Sequence, residues 1–142
     1  MKKNRNHDCK TELRDVQLRA TPARIALMKL LETTKFPLDV QSMIDYLQQN
    51  HIKTDPATVF RIMHMFTQKG ITRQIDFHEG KFRYELAGEE HHHLMCTVCG
   101  AIEDISDCNI EELQNEIELK KHFTVNSHSL EFFGICKKCN EK

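Results

Sequence analysis

Two matched cysteine pairs limit what this chain can fold into more than any other feature of its sequence. The pairs are Cys96-x-x-Cys99 and Cys136-x-x-Cys139, and each has two residues between its thiols. This spacing lets both thiolates of a pair face one ion, and four thiolates complete the tetrahedral coordination of a structural Zn²⁺ site. The pairs therefore predict a zinc ion that holds the start of a small subdomain to its end.

Thiol–disulfide exchange is the alternative use of such pairs. One pair is sufficient for that chemistry, and neither pair opens a thioredoxin-like segment. The N-terminal segment MKKNRNHDCKTELRDV is basic, but no apolar secretion-signal region follows it, and no apolar run approaches the roughly 20 residues that span a bilayer. We therefore expect a cytoplasmic protein without a membrane partner, in which thiols stay reduced. Cys9 and Cys108 are expected to be ordinary free thiols.

Charge divides the chain into two parts of opposite sign. Residues 1–83 contain 15 Lys and Arg against 9 Asp and Glu, a net charge of +6, whereas residues 84–142 contain 5 against 12, a net charge of −7. A basic first part suits a polyanion, and an acidic second part rich in His and Cys suits cations. Chance segregation of surface charge is the alternative interpretation.

Helix caps, apolar periodicity and turn residues predict helices followed by a β-hairpin in the basic part. Thr21-Pro22 and Asp55-Pro56 are start signals for two of the helices, and His78-Glu79-Gly80 separates two strand-like runs. The predicted helices cover 11–20, 21–34, 39–50 and 55–70, and the predicted strands cover 71–77 and 81–86.

Helices followed by a hairpin, with net positive charge, predict a winged helix-turn-helix domain over residues 1–84. Its recognition helix, residues 55–70, carries Thr58, Phe60 and Arg61 on the side away from its apolar face. In such a fold this helix enters the major groove of double-stranded DNA, where Arg61 can reach guanine edges or phosphate. A plain helical domain with a solvated arginine is the alternative.

Three consecutive histidines, His91 to His93, lie just before the first cysteine pair. If this segment is a strand, its side chains alternate, so His91 and His93 share one face and His92 points to the other. Two further metal sites are therefore predicted, each with additional carboxylate or imidazole ligands. The first contains Glu85, His91, His93 and Asp104, and the second contains Glu90, His92, Glu111 and His128. A mixed nitrogen and oxygen set accepts Zn²⁺, Mn²⁺ or Fe²⁺.

The local structure of these ligands is also predicted from sequence pattern. Residues 101–106 are expected to form a strand that carries Asp104. Glu111 is expected on a helix over 109–122, and His128 on a strand over 124–136.

Several segments together carry a resemblance to a known family. They are LRATPARIALMKLL, PATVFRIMHMFTQKGIT, KFRYEL, HHHLMCTVCGAIEDIS and NSHSLEFFGICKKC. With them the chain resembles the ferric uptake regulator family of metal-responsive bacterial repressors. The resemblance implies an α+β protein with an N-terminal winged helix, an α/β dimerisation domain over 85–142, a homodimer and a palindromic DNA operator. It also implies the four-cysteine set and the first mixed set given above, and His92, Glu111 and His128 of the second. It places Arg19, ahead of the TPAR helix, near the minor groove.

The chain departs from the pattern of the family in three ways. Its members usually place a histidine ligand in the loop that here reads TTKFPLDV, and Phe60 stands where they have tyrosine. The glutamate at position 85 resembles the ligand of the iron-sensing branch, whereas the aspartate at position 104 resembles the ligand of the peroxide-sensing branch. The zinc-sensing branch often has a cysteine near the position of Glu85, and this chain has none.

These observations predict a metal-dependent transcriptional repressor of metal-uptake or peroxide-stress genes, with a divalent metal as allosteric co-repressor. A zinc buffer or delivery protein without specific DNA binding is the alternative. An enzyme is not expected, because no glutamate has the HExxH arrangement of a zinc-assisted base and a four-ligand set leaves no open position.

Overall fold

The computed structural model describes residues 8–88, 90–106 and 108–141, so the start of the basic N-terminal segment lies outside the described residues. It confirms the predicted α+β class. Contacts divide the chain into two compact units, 1–87 and 88–142. The predicted boundary followed Tyr84, whereas the unit boundary follows Ala87 because the second strand of the hairpin continues to Leu86.

Four helices and three strands make up the described part of the first unit. In chain order they are α1 Cys9–Asp15, α2 Pro22–Thr33, β1 Leu38–Asp39, α3 Val40–Gln49, α4 Pro56–Gln68, β2 Thr72–Asp76 and β3 Phe82–Leu86.

Side-chain caps start the three longer helices at the predicted residues. Thr21, Asp39 and Asp55 each accept a hydrogen bond from the backbone N–H three residues ahead, at 3.3, 2.8 and 2.8 Å. These bonds satisfy N–H groups that have no partner within the helix. Gly70 follows α4 with a φ of +73°, a left-handed conformation that favours glycine.

The apolar faces of α1 to α4 form the core of the first unit. Removal of these side chains from water is the main stabilising contribution to the unit. Its largest fully buried side chains include Leu13, Leu27, Met28, Met43, Leu47, Val59, Met63 and Phe66.

A three-stranded sheet in the order β1-β3-β2 completes the first unit, and both pairings are antiparallel. The predicted hairpin is β2 and β3, with His78 and Gly80 at positive φ in the turn. Its register places Arg73 opposite Glu85. The order of α2 to α4 and this hairpin is that of the predicted winged helix-turn-helix.

The second unit contains a small sheet and two helices among the described residues. They are β4 His92–Cys96, β5 Ile102–Ile105, α5 Ile110–Lys121, β6 Glu131–Gly134 and α6 Lys137–Asn140. The strand order is β5-β4-β6, with β4 antiparallel to β5 and parallel to β6. A parallel pair needs a crossover connection, and α5 lies in that connection.

This second unit has a thin core. Its buried described residues are His92, His93, Cys96 and Ile102. Helix α5, all of whose residues are described, has no buried side chain. The unit therefore lacks an apolar core comparable with that of the first unit.

No helix in the described part of the chain is long and apolar enough to cross a lipid bilayer.

Candidate metal centres and nucleic-acid surface

The four cysteines of the two CxxC pairs meet in one cluster. The sulfur atoms of Cys96, Cys99, Cys136 and Cys139 all lie within 4.8 Å of one another. The parallel pairing of β4 with β6 brings them together, because Cys96 ends β4 opposite Gly134 and the second pair follows directly after β6. None of the six cysteines, all in the described ranges, forms a disulfide.

The geometry of this cluster fits a metal ion with tetrahedral coordination. The Sγ atoms of Cys99 and Cys136 are 3.7 Å apart. A tetrahedron with Zn–S distances of about 2.3 Å has edges of about 3.8 Å. The separation of Cys99 and Cys136 thus matches the edge of a Zn²⁺ site, and all four sulfur atoms lie within 4.8 Å of one another.

Hydrogen bonds make the thiols of the cluster unequal. The backbone N–H of Cys136 donates to Cys96 Sγ at 3.3 Å, and this bond, with that from Cys99, lowers the pKa of Cys96 to about 6. Hydrogen bonding with the thiol of Cys136 raises the pKa of Cys139 to about 12. The cluster therefore favours ionisation of Cys96 and disfavours that of Cys139, and a bound cation would offset the cost at Cys139.

A second donor group lies on β4, on the residue just before it, and on β5. His93 is the direct cross-strand partner of Asp104, and His93 Nε2 lies 3.7 Å from Asp104 Oδ1. The rings of His91 and His93 contact edge to face, with centroids 4.9 Å apart. Within the second unit, His93 thus lies close to two of the other ligands predicted for the first site, His91 and Asp104. His93 is buried, so its imidazole is held in place by its surroundings.

Glu85, the fourth predicted ligand, lies on β3 in the first unit. Its Oε1 is 3.2 Å from Nη2 of Arg73 on β2, and its side chain is 11% exposed. The carboxylate is thus held by the guanidinium of Arg73, a contact that no sequence motif indicates.

A third donor group has a buried imidazole nitrogen at its centre. Glu90, His92 and His128 place ligand atoms within 4.8 Å of one another. His128 Nε2 is 2.7 Å from Glu90 Oε1, and the rings of His92 and His128 are 5.1 Å apart. The buried Nε2 of His92 has no hydrogen-bond partner among the described residues. A buried nitrogen without a partner is costly, and a bound cation would satisfy it.

The side chains predicted to contact DNA lie in two places. Arg19 lies in the segment before α2, and Thr58, Phe60 and Arg61 lie on α4. Phe60 is 57% exposed and Arg61 is also exposed. Arg61 Nη2 donates to Thr58 Oγ1 at 3.1 Å, so the two polar side chains are linked. Arg19 is exposed directly ahead of α2, and its carbonyl accepts from Arg24 Nη1 at 3.0 Å.

Comparison with known proteins identifies the family. A family model described as the ferric uptake regulator family matches residues 15–133, a span that includes the winged helix and the three histidines. The chain belongs to the ferric uptake regulator family. It is therefore a member of a family of metal-responsive regulators.

Similar proteins cover nearly the whole chain. The ferric uptake regulation protein of Bacillus subtilis strain 168 is 32% identical over 98% of this chain and 97% of its own length. The Vibrio cholerae ferric uptake regulator structure is 30% identical, with a TM-score of 0.76 over 91% of this chain and 100% of that chain. The Helicobacter pylori regulator structure is 25% identical, with a TM-score of 0.77 over 94% of this chain and 89% of that chain.

Two details of the third donor group in this family member differ from the sequence-based expectation. His128 was predicted on a strand, but β6 begins only at Glu131, so His128 lies in the irregular segment before it. Glu111, although it is a described residue, is not part of the group. Gln114, one turn further along α5, lies 2.8 Å from His128 Nδ1 instead. A search of the sequence for charged ligands could not find it, because its amide is neutral.

Proposed function

We propose that this member of the ferric uptake regulator family is a metal-dependent transcriptional repressor that binds palindromic double-stranded DNA as a homodimer. A divalent metal is its allosteric co-repressor. The genes under its control are those for metal uptake or the peroxide-stress response.

The observation that carries the proposal is the separation of two kinds of donor in the second unit. Four thiols cluster at one end of β4, while nearer its start His93 contacts the ring of His91 and lies 3.7 Å from Asp104 on β5. Thiolates bind zinc tightly and tolerate little exchange, whereas imidazole and carboxylate accept several divalent metals. The arrangement supports one ion that maintains the fold and another that varies with supply.

Each donor group is assigned a ligand role on this basis. Cys96, Cys99, Cys136 and Cys139 hold structural Zn²⁺. Glu85, His91, His93 and Asp104 hold the regulatory Fe²⁺, Mn²⁺ or Zn²⁺. The additional site consists of Glu90, His92 and His128. The Helicobacter pylori relative has three functional metal binding sites, which supports this number.

The winged helix supplies the proposed DNA contact. The exposed ring of Phe60 can contact a thymine methyl group, and the exposed guanidinium of Arg61 can reach guanine. Arg19 ahead of α2 adds a cation for the minor groove or the backbone. A symmetric dimer presents two such helices, and a palindromic operator offers each of them the same half-site.

Exposed apolar side chains of the second unit support the homodimer. They are Leu113, Ile117, Leu119, Phe123, Phe132, Phe133 and Ile135. So many large apolar side chains at one small unit are unfavourable in water, and a second copy can cover them. This apolar surface also accounts for the thin core of the unit, because an interface then supplies part of its burial.

DNA-binding titrations with and without metal test the proposal. Protein stripped with a chelator, but still holding one zinc per chain in the thiol cluster, should bind a palindromic operator weakly. Added Fe²⁺, Mn²⁺ or Zn²⁺ should restore salt-dependent binding. Equal operator binding with and without the added metal contradicts the co-repressor mechanism. Metal transfer to a chelator with no DNA binding under any condition supports the zinc buffer instead.

A variant of the sensing group tests the division of roles. His91→Ala should give a folded protein with one zinc per chain that no longer responds to added metal, because this group selects a conformation and does not create the fold. Metal-dependent operator binding of His91→Ala equal to that of the parent protein contradicts the assignment.

A further inference from the structure

Within the hairpin of the first unit, Glu85 forms an ion pair with Arg73. Arg73 on β2 and Glu85 on β3 are direct cross-strand partners, and Arg73 Nη2 lies 3.2 Å from Glu85 Oε1. The arginine side chain is 32% exposed and the glutamate side chain is 11% exposed. The carboxylate is therefore more enclosed than its partner, and the guanidinium covers part of it.

A guanidinium and a divalent metal make opposing demands on one carboxylate. Both are cations that use the oxygen lone pairs of the carboxylate, so a metal bound there either displaces the guanidinium or lies close to its positive charge. Displacement loses the free energy of the ion pair, and proximity adds repulsion between the two cations, so either case weakens metal binding.

We infer that Arg73 competes with the divalent metal for Glu85 and thereby sets the metal concentration to which the regulator responds. This inference rests on the proposed function, because Glu85 must be a metal ligand. Arg73 is a positioning residue in this scheme, since it acts on the metal only through Glu85. Without Arg73 the same ligands respond at a lower concentration of metal.

A second ion pair in the same hairpin provides a matched comparison. Arg83 binds Glu79 through two contacts of 2.9 Å, and Arg83 Nη1 also donates to the carbonyl of Pro37. Neither Arg83 nor Glu79 belongs to a proposed ligand set. Removal of the Arg83 charge therefore changes the hairpin without changing the competition at Glu85.

Titration with Co²⁺ measures the effect directly. Zinc-loaded protein, with its thiol cluster filled, is titrated with Co²⁺, and the visible absorption of Co²⁺ in a nitrogen and oxygen site gives the half-saturation concentration. Arg73→Gln and Arg73→Met should lower that concentration roughly three- to tenfold, as expected for loss of one partly exposed competing charge. Arg73→Lys and Arg83→Gln should stay near the parent protein. The operator-binding midpoint in Co²⁺ should shift in parallel.

The Glu85→Gln variant separates failure of the inference from failure of the proposed function. If Glu85→Gln binds Co²⁺ at least tenfold more weakly while both neutral Arg73 variants match the parent protein, the competition is absent and the ligand set stands. If Glu85→Gln matches the parent protein, the proposed ligand set is wrong and the inference fails with it. Thermal unfolding accompanies each titration. Failure of both Arg73→Gln and Arg73→Met to fold assigns the pair a structural role and overturns the inference.

Discussion

At the scale of the residue, the four clustered cysteines and the two remaining cysteines have different roles. Cys96 is buried at the end of β4 and accepts a hydrogen bond from the backbone of Cys136. Cys108 lies outside the cluster. Because metal binding by structural thiolates contributes directly to folding, loss of one thiolate should destabilise the second unit.

Cys96→Ser should reduce zinc content and lower the thermal midpoint of the second unit by more than about 10 °C. Cys108→Ser is the matched control and should change the midpoint by no more than a few degrees. Zinc analysis and thermal unfolding of both variants measure the difference. A Cys96→Ser protein with full zinc content and an unchanged midpoint contradicts the structural role of the cluster.

Arg61 is the second position where one side chain has a specific expected effect. Arg61→Ala should cost about 1–3 kcal/mol of specific operator binding and relax discrimination at the contacted base, because the proposed role of this guanidinium is to read a base edge. Lys69→Ala, at the end of the same helix, removes an equal charge away from its exposed start. Fluorescence anisotropy with operator and mutated operator compares the two variants. Equal losses for both identify a general electrostatic effect rather than base recognition.

At the scale of the element, the start of α3 depends on Asp39. Its carboxylate accepts a hydrogen bond from the backbone N–H of Ser42 and forms an ion pair with Lys81. Burial opposes ionisation of Asp39, but these bonds outweigh it and lower its pKa from 3.8 to about 2. A depressed folded-state pKa contributes stability above the unfolded-state pKa of about 4, and this contribution disappears as the pH falls through about 2.

Asp39→Asn should lower the free energy of unfolding of the first unit by about 1–2 kcal/mol at neutral pH, since asparagine still caps the helix but cannot pair with Lys81. The difference from the parent protein should vanish near pH 2. Urea unfolding at several pH values measures it, with Asp45→Asn on the exposed side of α3 as control. A deficit that persists unchanged at pH 2 shows that the charge is not its cause.

The elements differ in how far their sequence alone predicts them. Helices α2, α3 and α4 were predicted within one or two residues because capping residues and apolar periodicity act locally. The predicted helix over 11–20 is α1, Cys9–Asp15, because Asp8 caps it earlier and Gln17 takes a positive φ after it. The two residues of β1 form no pattern, and they become a strand only by pairing with β3.

The candidate site follows the same division. Alternation along β4 correctly separated His92 from its neighbours, and CxxC spacing correctly grouped the cysteines. The contacts of Arg73 with Glu85 and of Gln114 with His128 depend on strand register and on the packing of a helix against a loop. The exact geometry of the turn decides which residues face each other in the hairpin, and no local motif encodes the packing of α5 against the segment before β6. Ligand spacing alone therefore did not indicate these two residues.

At the scale of the whole molecule, dimer formation is expected to bury apolar side chains of the second unit that are exposed in the single chain. Leu113 and Ile117 lie one turn apart on α5, and both are exposed. Replacement of both by Glu places charge in the proposed interface, which should shift the protein from twice the chain mass of 16.7 kDa towards the chain mass itself.

Sedimentation equilibrium measures this change in mass. Asn115→Glu adds charge to the same helix at a polar position and serves as the control, which should remain dimeric. The first unit should keep its fold in both proteins, because its core lies within residues 9–86. A dimer that tolerates both Leu113→Glu and Ile117→Glu places the interface elsewhere.

The parallel pairing of β4 with β6 has a consequence for the rate of folding. Consecutive helices of the first unit pack on one another, whereas the second unit closes only when residues 131–139 return to residues 92–99. Such closure is slow, because the entropy of the intervening chain is lost before favourable contacts form. Zinc bound to the first cysteine pair can be coordinated by the second pair as soon as β6 pairs with β4. This coordination then keeps the two strands paired. Zinc should therefore accelerate refolding of the second unit and leave the refolding rate of the first unit unchanged.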